Sequence, residues 1–102
     1  MEAAEAQKIV EGIPDKSPVL FAYVRGSKRH ARGEREAAAN QNLGQYIYFG
    51  VLVSKGIDSA GRFYFNVLCE NRMNEETGEP RALRTFVPSH GELLAFTKIN
   101  IP

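Results

Sequence analysis

The chain has no tryptophan, one cysteine and two histidines, and each shortage removes a class of chemistry. Cys69 alone cannot close an intramolecular disulfide and cannot by itself build a thiolate zinc site. It stands in an apolar alternating run, where a free thiol behaves as a small buried hydrophobe rather than a nucleophile. An unpaired thiol suits a reducing compartment, so the cytoplasm is the expected location. His30 and His90 lie far apart in polar stretches, and no spacing here resembles a zinc or iron site. No metal and no cofactor are therefore expected. No apolar run approaches the roughly 18 residues of a membrane span, and the opening MEAAEAQKIVEG lacks the basic and apolar blocks of a secretory signal.

Charge of one sign is also lacking: the net charge is +1, so the whole molecule is no polyelectrolyte, and any binding of nucleic acid must come from a local patch. Glycines at 26 and 33 flank basic residues without the strand–GxxxxGK–helix context of a nucleotide site. Glu75, Glu76 and Glu79 match no calcium loop and read as a solvated loop tip. His90, between Ser89 and Gly91, reads as a turn residue with no orienting partner in sight. No enzyme is expected from this inventory.

What is present is a small β-rich domain. At 102 residues the chain fits a single domain, residues 1–102. Six of the aromatics, Tyr46, Tyr48, Phe49, Phe63, Tyr64 and Phe65, fall within residues 45–71, which marks that stretch as a central hairpin. Its two runs, 46–53 and 62–69, are joined by a turn at Asp58-Ser59-Ala60-Gly61. In the second run Phe63, Phe65, Val67 and Cys69 share one face, while Tyr64 and Arg62 are expected at the surface. In the first run both faces are apolar, and Gly50 marks a bulge or bend. The expected core is Phe49, Val51, Phe63, Phe65, Val67 and Leu83.

Before the hairpin, residues 2–11 are rich in helix formers, with Ala6, Ile9 and Val10 on one narrow stripe and Gly12, Pro14 and Pro18 to stop it. Residues 18–24 read as a strand that is apolar on both faces. After the hairpin come a polar loop at 71–80, a strand at 81–87, a break at 88–92 expected to form one helical or 3₁₀ turn, and a last strand at 93–101.

Helix, then five short antiparallel strands, suits a closed small barrel, because closure removes bare sheet edges. The order resembles that of SH3-like and Sm-like barrels. It is a likeness of element order, with no family motif among the residues. The alternative is an open five-stranded sheet packed on the helix, which would leave aromatic surface exposed and demand a dimer.

Residues 25–44 interrupt the pattern. Arg25, Lys28, Arg29, Arg32 and Arg35 stand against Glu34 alone, and residues 34–42 have helical composition. An insertion of this length in so small a domain points to function. The first functional expectation is a non-enzymatic, homo-oligomeric binding module that contacts single-stranded nucleic acid through this basic arm. Tyr23 or Tyr64 would then stack on unpaired bases. The alternative is a protein–protein assembly or adaptor domain that forms a homo-oligomer. Strand edges and aromatic surface would make its contacts, and the basic 25–35 arm could pair with the acidic 70–79 loop of a neighbour. No membrane partner is expected, and no small-molecule ligand is named by any motif.

Overall fold

The computed structural model describes residues 1–25 and 44–100. Helix α1 (Ala3–Glu11) precedes strands β1 (Pro18–Arg25), β2 (Gly44–Ile57), β3 (Phe63–Cys69), β4 (Ala82–Phe86) and β5 (Leu93–Lys98). The helix stripe is as expected: Ala6 and Val10 are fully buried and Ile9 half-buried. The link to β1 is anchored by Lys55, whose ammonium donates to the Ile13 carbonyl and pairs with Asp15 at 3.2 Å.

The five strands form one antiparallel sheet in the order β4-β3-β2-β1-β5. Strand β2 serves both halves of it. Residues 44–51 pair with β1 and residues 50–57 with β3, and Gly50 lies where the two ladders overlap. A Cβ at Gly50 would sit 1.9 Å from the Leu68 carbonyl oxygen, so this close approach of backbones requires glycine. A register shift between Leu52 and Ser54 adds a bulge at Val53.

Among the described residues β4 and β5 are the two ends of the sheet and do not pair with each other. The closure expected of a barrel is therefore not made by the hydrogen-bond ladder, and the arrangement is the open sheet packed on a helix. Helix α1 packs against β3 and β5 and adds Ala6 and Val10 to the core. The core thus gains from the helix part of the cover that a closed ladder would have supplied.

The core is aromatic. Phe21 stacks on Tyr48 at 5.2 Å and on Phe96 at 5.3 Å, and meets Phe65 and Phe86 edge-on at 5.5 and 4.9 Å. Such offset and edge-to-face pairs add to the burial of ring area. Strand β3 alternates as expected, with Phe63, Phe65, Val67 and Cys69 all buried.

Three expected core residues face the other way. Phe49 is 43% exposed and Leu83 62% exposed, and Val51 is half-buried. The cross-strand pairs explain this. Tyr48 lies opposite buried Phe21, which turns the even-numbered residues of the first half of β2 inward. Phe86 lies opposite Phe65, which turns Ala82, Arg84 and Phe86 inward and Leu83 outward. The break at 88–92 is a tight turn rather than a helical one, with Gly91 at φ 83°, a left-handed conformation that favours glycine. The Glu92 carboxylate accepts the His90 N–H at 2.8 Å inside it.

Candidate functional site

The basic arm meets the described structure only at its root. Arg25 ends β1, its backbone paired with Gly44 at the start of β2. Lys28, Arg29, Arg32 and Arg35, and the helical stretch expected at 34–42, lie outside the described residues. Of the two tyrosines expected to stack on bases, Tyr23 is buried and its hydroxyl donates to the Val87 carbonyl at 3.2 Å. It is part of the core and offers no ring face. Tyr64 is half-buried and lies across Gly56, where a Cβ would fall 2.9 Å from its hydroxyl oxygen. This ring covers a glycine on the neighbouring strand, a common way to protect a bare stretch of sheet.

The Cys69 thiol is buried and donates to the Val67 carbonyl at 3.6 Å. A cleft of about 490 Å³ is lined by Ser89 and His90 together with residues 1–3 and Gly91, and among the described residues the Ser89 hydroxyl has no hydrogen-bond partner. Among the described residues no group of His, Cys, Asp and Glu could hold a metal ion, and no helix is long and apolar enough to cross a membrane.

Two surfaces remain, on opposite sides of β2. The first is the outer face of the sheet. Leu20 pairs with Phe49, Ala22 with Ile47, and Val51 with Leu68, which in turn pairs with Leu83. Leu20 is 39% and Ile47 54% exposed, so four adjacent strands present one apolar patch without a charged residue in it. Polar groups bound the patch on two sides. Along one runs the ion pair of Glu70 and Arg81 at 2.9 Å. Along the other, Asn66 donates to the Ser54 hydroxyl at 2.9 Å and accepts from Thr85.

The second surface lies where β2 outruns β3. The ladder between them begins at Gly50 and Cys69, and just past it the Glu70 N–H donates to the Phe49 carbonyl at 2.8 Å, which leaves residues 45–48 without a neighbouring strand on that side. Side chains from the end of β3 take its place. Asn71 accepts the Phe49 N–H at 3.3 Å and donates to the Ile47 carbonyl at 2.9 Å. The Arg72 guanidinium donates to the Asn71 and Ile47 carbonyls at 2.8 and 3.1 Å. It lies 4.3 Å from the ring centre of Tyr48 and 5.9 Å from that of Tyr46, within cation–π range of both. Sequence reading expected exposed aromatic surface on an open sheet but placed Phe49, Val51 and Leu83 in the core, and it missed the second surface. The both-faced apolar run 46–53 held a signal for the first. Arg72 read only as a charge in an acidic loop.

No family model, no curated protein and no solved structure matches the chain. Its function must be argued from these surfaces alone.

Proposed function

We propose that the protein is a non-enzymatic assembly domain that binds a second copy of itself through the outer face of its sheet. The observation that carries this reading is the uncharged apolar patch of Leu20, Ile47, Phe49, Val51, Leu68 and Leu83. Contiguous exposed patches rimmed by polar groups mark interaction sites on soluble proteins. An apolar centre inside a polar rim is also the anatomy of a protein interface.

A second copy is the occupant that the chemistry favours. Two antiparallel sheets pack readily face to face about 10 Å apart with their strands nearly aligned. A two-fold contact presents the same patch from both sides, so an apolar patch meets an apolar patch. The net charge of +1 sets almost no long-range repulsion between copies. The SH3-like or Sm-like relationship stays part of this proposal, supported by the helix-first element order and the bend at Gly50. So does a cytoplasmic setting, in which the buried Cys69 thiol stays reduced.

Sedimentation equilibrium tests the assembly. The wild type should show at least twice the chain mass at high micromolar concentration, and Phe49→Glu with Leu83→Glu should give a folded monomer with an unchanged circular dichroism spectrum. A monomeric wild type, or a double variant that assembles as before, refutes the reading.

A further inference from the structure

We infer that Tyr46 and Arg72 form a stacking site for an unpaired base of single-stranded nucleic acid. The site rests on observations separate from the assembly face. Tyr46 belongs to the even-numbered side of β2, whereas Phe49 and Ile47 belong to the outer side, so a copy docked on the outer face leaves Tyr46 free.

The guanidinium of Arg72 is already fixed in place, at one side by the Tyr48 ring at 4.3 Å and in its plane by the carbonyls of Asn71 and Ile47. A group held this way loses little freedom when a ligand arrives. Two of its N–H donors are used by those carbonyls, and a guanidinium has further donors to offer to a phosphate oxygen. Tyr46 is 44% exposed, and its ring centre lies 5.9 Å from the guanidinium carbon. Tyr48, fully covered, needs Arg72 only as a lid, and that role leaves the exposure of Tyr46 unexplained. An exposed ring next to a pre-set planar cation matches the two needs of a nucleotide in a single strand, a surface for the base and a donor for the backbone.

Position adds a third argument. The stretch 25–35, with five basic residues against Glu34, leaves the sheet at Arg25, whose partner Gly44 is two residues before Tyr46. A basic stretch joined to the sheet at this point of the chain would draw a polyanion at low salt. The ring selects among polyanions, because only nucleic acid brings bases to stack.

Fluorescence anisotropy with a fluorescein-labelled oligothymidine of about twelve nucleotides tests this at low salt. The wild type should bind, Tyr46→Phe should bind equally, and Tyr46→Leu should bind about tenfold more weakly, the loss expected for one stacked base. Retention on heparin, a polyanion without bases, should be the same for all three. Arg72→Gln should weaken oligonucleotide binding as well, and since it uncovers Tyr48, its melting curve must be measured alongside. Tyr46→Leu decides the matter even if Arg72→Gln unfolds. Wild-type affinity in Tyr46→Leu, no binding by the wild type, or an equal loss on heparin would each overturn the proposal. So would a loss confined to the Arg29→Gln, Arg32→Gln, Arg35→Gln triple variant.

Discussion

Replacing Phe65 and Phe49 by alanine, one at a time, probes which face of the sheet is the core. Phe65 has no exposed surface and its ring centre lies 5.5 Å from that of Phe21 and 5.3 Å from those of Phe86 and Phe96. Truncation removes the ring and leaves a cavity between three others, which costs about 3–5 kcal/mol. A domain of this size has only about 5–15 kcal/mol in total. Each kcal/mol moves the midpoint of such a domain by roughly 4–8 °C, so Phe65→Ala should melt at least about 12 °C below the wild type. Phe49 lies one strand away and on the opposite face, 43% exposed. In the monomer its truncation should cost about 1 kcal/mol or less, as for other partly exposed positions. In the proposed dimer the wild-type midpoint should fall on dilution, because assembly adds stability by mass action, and Phe49→Ala should lower the midpoint at the higher concentration and flatten that fall. Thermal melts followed by circular dichroism at two concentrations a hundredfold apart separate these effects. An unchanged midpoint for Phe65→Ala would refute the register of β3. Equal losses for both variants at the lower concentration would refute the assignment of faces on β2.

Gly50→Ala should destabilise by about 1–3 kcal/mol or more, since the new Cβ falls 1.9 Å from the Leu68 carbonyl oxygen and backbone must move; a urea midpoint equal to the wild type would show that the bend tolerates a side chain. Asp58 should titrate below its ordinary 3.8, held down first by the Arg62 N–H, then by the Ala60 N–H and the Arg62 guanidinium, against an opposing push from partial burial. A depressed carboxylate stabilises the fold above its unfolded pKa and loses that contribution as pH falls through its folded pKa. The Asp58 carboxyl carbon, followed by nuclear magnetic resonance, should therefore shift at lower pH than a free aspartate, and Asp58→Asn should flatten the acid-side fall of the melting midpoint. A titration at or above 3.8 would remove the hydrogen bonds from the argument.

Strand β3 was legible because its pattern has one answer. Phe63, Phe65, Val67 and Cys69 alternate with Tyr64, Asn66, Leu68 and Glu70, and only one of these sets can line a core. Strand β2 has two answers. Ile47, Phe49 and Val51 are as apolar as Tyr46, Tyr48 and Leu52, and larger aliphatic bulk on the odd side favoured the wrong one. What decides is the pairing of Tyr48 with Phe21 across the sheet, a contact between distant segments that no periodicity contains. Strand β4 misled for a similar reason. Arg84 on one side spoke against burial of that side, yet Phe86 at its end joins the aromatic core and takes Arg84 inward with it. Tyr64 and Tyr23 looked like free rings because neither Gly56 nor the Val87 carbonyl is near them in sequence.

The double character of β2 accounts for both proposed surfaces at once. A strand that is apolar on both faces has to be covered twice, and one helix of nine residues cannot do it. The even side is covered from within the chain, by Phe21 and Phe86 around Tyr48 and by Val67 across from Leu52. That cover stops at Arg72, which caps Tyr48 and leaves Tyr46 projecting past the core. The odd side has no cover among the described residues. Ile47 and Phe49 gain nothing for the monomer by being large and apolar, since alternating polar residues would have made the same ladder with less tendency to aggregate. Their side chains make physical sense if a second sheet excludes water from them, and the place to look for that sheet is another copy of the same chain.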